Sequence, residues 1–364
     1  MTKGNVKKNQ SLDEVKKIAC DFIDENQILK EQIKSLQNMV FGRKSEKTPK
    51  VEHGGLTVSI ARNPEKIIPK SIATPGLLAH ILTGKFADAL PFYRQEKQFT
   101  RIGIELGRST MCKWAMVVAS ACELLIDLMK KDILAGPLIG IDETPLQVLK
   151  GPRKSKSYMW VYRGGTPDKP IVLFEYHPTR SGDVASIFLY GYQGIVQTDG
   201  YIGYDFLDKK KGILYVGCWL HARRTFKDVT KAGGNKSTAT GNAASALKYI
   251  SKFYKIEKDV RQNELSPKQL YEQRESLAIP ILKEFKKLLD ARVEKVPPKS
   301  LLGKAIHYTL SQWHRLTQYT KDRIIRPDNN LLENAIRPFV VGRKNWLFSD
   351  TVQGANTSAQ CAYL

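Results

Sequence analysis

After residue 138 the sequence changes from helical to strand spacing, and the order of its short apolar runs leaves few arrangements open. Residues 139–142, 158–163, 171–176, 194–198 and 213–219 read as five strands, rich in β-branched and aromatic side chains and bounded by turn formers. Turn-rich segments separate the first three, as in an antiparallel meander. Residues 182–189, between the third and fourth, read as a helix, the crossover that a parallel neighbour requires. The expectation is an α/β fold: a mixed five-stranded sheet flanked by helices, with the fourth strand parallel to the first and beside it. Helix follows from His221, and a charged helical insertion occupies about 243–321. A last short helix should start at the capping cluster Asp328-Asn329-Asn330.

Ahead of this core the pattern is helical. Leu12, Val15, Ala19, Phe22, Asn26, Leu29, Ile33, Leu36 and Val40 step alternately by three and four, which marks 8–42 as a coiled-coil helix. Asn26 falls at an a position, where a buried Asn fixes register and favours a parallel dimer. An amphipathic helix packed on its own domain is the alternative. Residues 43–72 read as a polar linker and 73–135 as a helical domain. There Thr74-Pro75 opens one helix, a second runs from Pro91 to Phe99, and Gly103 breaks the pattern before a third. That third helix, read as capped by Ser109, presents Arg108, Ser109, Thr110 and Lys113 near its start. Short polar and cationic groups there are what the recognition helix of a helix-turn-helix offers to bases and phosphates, although plain helical bundles share the pattern.

Charge points to a partner. Lys and Arg number 58 against 36 acids, a formal charge of +22, which suits nucleic acid. The longest apolar stretch, 115–129, is interrupted by Glu123 and Asp127 and is too short to span a bilayer, so no membrane partner is expected. The polar, Lys-rich N-terminus does not read as a signal peptide, and five scattered cysteines suit a reducing cytoplasm.

Two acids stand at strand ends, Asp142 after the first strand and Asp199 after the fourth. In the expected sheet these ends are neighbours, and two carboxylates aimed at one point repel unless a cation lies between them. Hard oxygen ligands suit Mg²⁺ or Mn²⁺. Glu333, one turn into the last helix, would complete a two-ion site for phosphodiester chemistry. The plainer alternatives are turn or cap residues for the aspartates, and for Glu333 an ion pair with Arg337 four residues on. Spacing alone does not single these three out of 36 acids. Cys218 and His221 form a C-x2-H pair that lacks a second ligand pair. Cys218 is expected as a buried strand residue, with His221, Arg223 and Arg224 facing phosphates. Arg337, Arg343, Lys344, Asn345 and Trp346 complete the candidate DNA contacts, Trp346 either stacking on a base or joining the core with Phe348.

Several longer motifs carry a resemblance. Ile141-Asp142-Glu143-Thr144-Pro145, Val196-Gln197-Thr198-Asp199-Gly200-Tyr201, Cys218-Trp219-Leu220-His221-Ala222-Arg223-Arg224 and Asp328-Asn329-Asn330-Leu331-Leu332-Glu333-Asn334 are similar, in order, to signatures of the insertion-sequence-66 transposases. So are Gly342-Arg343-Lys344-Asn345-Trp346-Leu347-Phe348, Phe41-Gly42-Arg43-Lys44-Ser45-Glu46-Lys47 and Leu90-Pro91-Phe92-Tyr93-Arg94-Gln95-Glu96. The resemblance implies a ribonuclease-H-like catalytic core over 136–350 with a DDE triad at Asp142, Asp199 and Glu333. It implies strand cleavage and strand transfer on an insertion sequence, with terminal repeats and target DNA as partners. A homodimer or higher multimer, small helper proteins of the same element and a bacterial, nucleoid-associated location follow from it too. Two departures stand out. The family carries a cysteine-rich zinc segment after the coiled coil, whereas 51–69 holds no cysteine, so no zinc is expected there. The family continues helically after Gly354, whereas 351–364 reads as a truncated tail that would leave the core under-packed. A catalytically impaired remnant, a non-enzymatic DNA-binding protein and a nuclease on the same fold are the alternative readings.

Overall fold

The computed structural model describes residues 66–152, 156–232, 241–263 and 266–362. The coiled-coil segment 8–42 and the linker up to residue 65 lie outside the described residues. The described residues divide into two compact units, one of those up to 85 with 90–118, the other of 86–89 with those from 119 onward.

The first unit is built on α1 (Pro75–Phe86), α2 (Phe92–Arg101) and α3 (Arg108–Ala121). Thr74 Oγ1 accepts the Leu77 N–H at 3.2 Å, the expected cap. Leu77, Leu78, Ile81, Phe92, Phe99, Met111 and Trp114 form its core. The buried Gln95 amide ties α2 to the chain before it, donating to the carbonyls of Ile81 and Leu90, both at 3.1 Å. Gly103 takes φ +78° in the turn, a conformation that favours glycine. One expectation needs correction: Ser109 does not cap α3, which already begins at Arg108. The Glu96 carboxylate takes the Arg108 N–H at 3.0 Å, and a negative charge suits the positive end of a helix.

In the second unit, α4 (Glu123–Ala135) precedes β1 (Leu138–Leu146), β2 (Val148–Lys150), β3 (Ser157–Thr166) and β4 (Lys169–His177). After α5 (Gly182–Phe188) come β5 (Gly194–Gln197), a 3-10 helix (Ile202–Lys209), β6 (Ile213–Val216) and α6 (Trp219–Ala232). The five-stranded sheet has the order β4-β3-β1-β5-β6, antiparallel among the first three strands and parallel from β1 through β5 to β6. The expected meander, crossover and mixed sheet are all present. Helices cover both faces. Ile139, Ile141, Trp160, Tyr162 and Val196 pack with α4, α5 and the 3-10 helix on one face. Met159, Val161, Phe174 and Tyr176 face the other way, against the helices near the C-terminus.

The insertion is a helical bundle of α7 (Asn242–Gln262), α8 (Pro267–Gln273), α9 (Ile279–Val293), α10 (Leu301–Ser311) and α11 (Trp313–Leu316), with one π turn (Arg274–Ala278) before α9 and a 3-10 turn (Thr317–Lys321) after α11. Trp219, Phe226, Phe253, Phe285 and Tyr319 are its buried centre. Arg274, 2% exposed, grips Glu257 with both nitrogens (2.7 and 2.9 Å) and donates to the carbonyls of Tyr319, Asp322 and Ile325. It thereby anchors the strap that leads to α12 (Asn330–Trp346).

Four elements differ from the sequence reading. The strand read as 213–219 ends at Val216, and α6 already begins at Trp219. The strand carrying Asp142 does not end there but runs to Leu146, because its ladder with β3 continues. The last helix is not short: α12 passes through Pro338 and Gly342 to Trp346, held by Leu332, Ile336 and Phe339 in the core. Beyond β7 (Ser349–Thr351), which pairs with β2, residues read as a tail form α13 (Val352–Cys361). Thr351 Oγ1 caps α13, and Ala355 and Ala359 are buried in the same core. No helix among the described residues is long and apolar enough to cross a membrane.

Candidate active site

Strand register sets the first two acids side by side. The parallel ladder of β1 and β5 ends with the pair Gly140 and Gln197, and Asp142 and Asp199 each follow their member of it by two residues. Asp142 accepts the Glu143 N–H at 2.8 Å and pairs with no cation among the described residues. Burial pushes its carboxyl up to about 8, and the negative charges of Glu143, Asp199 and Glu333 add to the rise. Asp199 Oδ1 accepts the Tyr201 N–H at 2.9 Å.

The third acid arrives on the first turn of α12, at the face of the sheet that Gly140 leaves open. Asn329, the residue before α12, lies so close that a Cβ on Gly140 would meet its Oδ1 at 2.8 Å. Of the capping cluster, Asp328 Oδ1 accepts the Asn330 N–H at 3.2 Å, and the Asn329 N–H donates to Cys218 Sγ at 3.3 Å. Glu333 pairs with Arg224 of α6, whose Nη2 lies 3.3 Å from Oε2, rather than with Arg337, which is exposed. Arg224 is brought near because the strap before α12 is tied to the start of α6, where the Trp219 N–H donates to the Pro327 carbonyl and the Asn329 N–H to Cys218 Sγ.

Cys218, His221 and Glu333 bring their ligating atoms within 4.8 Å of one another. Cys218 is buried as expected but lies past the end of β6, just before α6, rather than in a strand, and its thiol is pushed up to about 12 by that burial. His221 Nδ1 is buried without a hydrogen-bond partner. Burial holds the imidazole below its ordinary pKa, while Asp199 and Glu333 pull it upward and Arg224 pulls it down. Arg223 lies over the Tyr254 ring at 5.8 Å, and Arg224 is exposed.

A second layer of groups stands on the other face of β1. Glu143, 9% exposed, accepts from Tyr204 Oη and from Arg180 Nε. Arg180 Nη2 lies 3.9 Å from Asp199 Oδ2, its guanidinium stacks 3.8 Å from the Tyr201 ring centre, and Tyr201 Oη donates to its carbonyl at 2.9 Å. Sequence reasoning passes over Glu143, Arg180 and Tyr204. The available signal is that consecutive residues on a strand face opposite ways, so an acid beside Asp142 points into the opposite core and needs a cationic partner there.

The remaining candidates are divided. Arg108, Ser109 and Lys113 are exposed and Thr110 is half-buried on α3 in the first unit. Arg343 is engaged with β1, donating to Thr144 Oγ1 at 2.9 Å and to the Pro145 carbonyl. Asn345 donates to the Ala89 carbonyl at 2.8 Å. Trp346 folds back over Gly342 and meets the Phe86 ring edge-on at 6.2 Å, so it packs as part of the fold, whereas Phe348 is exposed. Arg337 and Lys344 are exposed.

Hard oxygen donors with surplus negative charge and one carboxyl lacking a cation fit a divalent ion such as Mg²⁺ or Mn²⁺. Asp142, Asp199 and Glu333 are the residues that could hold it.

The family model described as Transposase IS66 family matches residues 70–357. Two uncharacterized proteins of Sinorhizobium fredii (strain NBRC 101917 / NGR234) are similar across most of the chain. One, y4qI, is 31% identical over 316 residues, 83% of this chain and 57% of its own. The other, y4jD, is 31% identical over 315 residues, 83% of this chain and 60% of its own. The chain thus spans less than two thirds of the length of these relatives.

Proposed function

We propose that this chain, which belongs to the IS66 family of transposases, cuts DNA at the ends of an insertion sequence and joins the freed ends to target DNA. The observation that carries this reading is the grouping of Asp142 with Asp199 and Glu333. The like charges of the latter two reach an Asp142 carboxyl that has no cation of its own. The strand order and the helices on both faces support a ribonuclease-H-like core.

One or two divalent ions held there would activate the attacking water or 3′-hydroxyl and stabilise the leaving oxygen. The chain's own residues do the positioning. Tyr201 N–H and Arg180 orient the Asp199 carboxylate. Arg224 neutralises Glu333 and, being exposed beside it, is placed to receive a backbone phosphate. His221 adds a second polar group on the same side of α6. Exposed Arg108, Ser109 and Lys113 offer the first unit's contacts to duplex DNA. Pairing of protomers falls to the heptad segment 8–42.

The test is strand cleavage and transfer with Mg²⁺ and duplexes carrying the ends of the element. Asp199→Ala should abolish both while leaving DNA affinity within about twofold, because cations rather than this acid hold the phosphates. Full strand transfer by that variant would sink the reading.

A further inference from the structure

A cavity of about 330 Å³ opens at the other end of β1, between the β3–β4 turn, the last turn of α7 and the strap before α12. Four of its lining residues, Arg163, Arg261, Arg323 and Arg326, pair with no carboxylate among the described residues. The acid in its wall, Glu257, is already taken by Arg274 through both oxygens. Arg163 is half-buried, and both burial and the neighbouring charge of Arg326 press its pKa down. Like charges gathered round a cleft with their counter-charge spent elsewhere disfavour the folded state until an anion enters.

The strand register says where that anion stands relative to the acids. Arg163 is the antiparallel partner of Gly140, so its side chain leaves the sheet on the face that carries Asp142. Leu138, at the cavity, precedes Asp142 by four residues, roughly 13 Å along a strand. Leu331 lines the cavity and Glu333 lies two residues on, so the first turn of α12 separates the two places. Successive phosphates of one DNA strand rise about 3.4 Å along the duplex axis, which makes 13 Å about four nucleotides.

We propose that this arginine-lined cleft is a second phosphodiester subsite, which holds the backbone of the DNA strand about four nucleotides from the link cut at Asp142, Asp199 and Glu333. The inference rests on the reading of that site as DNA-cleaving. The cleft grips backbone and positions the strand, without reading sequence. Fork-shaped guanidinium groups suit phosphate oxygens, and a cleft of this volume admits a nucleotide unit rather than a lone ion.

The test is the salt dependence of DNA binding by the full chain, with Arg326→Gln and the pair Arg163→Gln/Arg326→Gln, and with Lys268→Gln on α8 as the control. The log affinity against log salt should flatten by about one for each phosphate left without its arginine, equally for unrelated DNA sequences. On DNA trimmed to fewer than about four nucleotides beyond the scissile link on either side, variants and parent should bind alike. Melting temperatures at or above the parent's would show that the variants fold. An unchanged slope, or a difference that persists on trimmed DNA, overturns the subsite. So does stabilisation of the parent by inorganic pyrophosphate together with unmoved DNA affinity in the variants, which would assign the cleft to a free anion. A flattened slope in a protein that cuts no DNA leaves the subsite standing and removes the transposase reading instead.

Discussion

Arg224 Nη2 lies 3.3 Å from Glu333 Oε2, so a cation already stands at the acid that a metal ion would need. The pair is half-open to solvent, with Arg224 53% exposed, so its net contribution to stability is small. Arg224→Gln should change unfolding free energy by no more than about 1 kcal/mol. It should nonetheless tighten Mn²⁺ binding, because the competing charge is gone, and weaken DNA binding. Weaker Mn²⁺ affinity in calorimetry would show that Arg224 supports the ion rather than competing with it.

Asp142 sets a pH dependence whose sign can be worked out. Its folded pKa of about 8 lies above the ordinary 3.8, so the folded chain keeps a proton that the unfolded chain has released. The resulting stability is fully present below about pH 4 and is lost as pH rises towards 8. In a chelator, therefore, the protein should melt lower at pH 8 than at pH 5 through this group. Asp142→Asn should remove that slope and raise the melting temperature at pH 8, and Mg²⁺ should stabilise the parent more at pH 8 than at pH 5. A variant less stable than the parent at pH 8 without metal would contradict the assignment.

Glu143 depends on Arg180 because its side chain is only 1% exposed. Removal of Arg180 leaves a buried carboxylate with Tyr204 alone. Arg180→Gln should cost about 2 kcal/mol in urea denaturation, less than a fully buried pair would, since Arg180 itself is 37% exposed. It should also slow cleavage, because Asp199 loses a group that orients it. Arg180→Lys should not restore the parent, since one ammonium cannot serve Glu143 and Asp199 while stacking on Tyr201.

Much of this is legible in the sequence because two periods are hard to confuse. The five sheet strands, the crossover helix and the helical insertion follow from spacing alone, and strand order makes Asp142 and Asp199 neighbours, but singling them out of 36 acids takes the family motifs around them. What escapes depends on tertiary packing. β1 runs on past Asp142 through Pro145, where β5 has already ended at Gln197 and leaves a free edge on which proline is tolerated. The last helix, expected to be short, runs on through Pro338 and Gly342 because Ile336 and Phe339 bury one face of α12. The partner of Glu333 escapes for the same reason. Arg337 is near in sequence, whereas Arg224 is brought near by the hydrogen bonds that tie the strap before α12 to the start of α6. Arg180 and Tyr204 lie 37 and 61 residues from Glu143, beyond any local pattern.

Gly140 carries a prediction that separates placement of Glu333 from its chemistry. The residue lies between the β1–β5 ladder and Asn329, whose Oδ1 would sit 2.8 Å from a new Cβ. Real Cβ atoms are essentially never that close to a neighbour, so Gly140→Ala must push Asn329 or bend β1. Asn329 is buried, its N–H is held by Cys218 Sγ, and its carbonyl accepts from Leu332 and Glu333. The clashing atom is the end of the Asn329 side chain, so the start of α12 and Glu333 move only where that buried side chain cannot turn aside. No charge changes, so DNA affinity should stay within about twofold of the parent. A displacement near 1 Å at a reacting centre costs on the order of 10²-fold in rate, and cleavage should fall by that order. Gly140→Ala with parental cleavage and an unchanged melting temperature would mean that Glu333 is not held through Asn329.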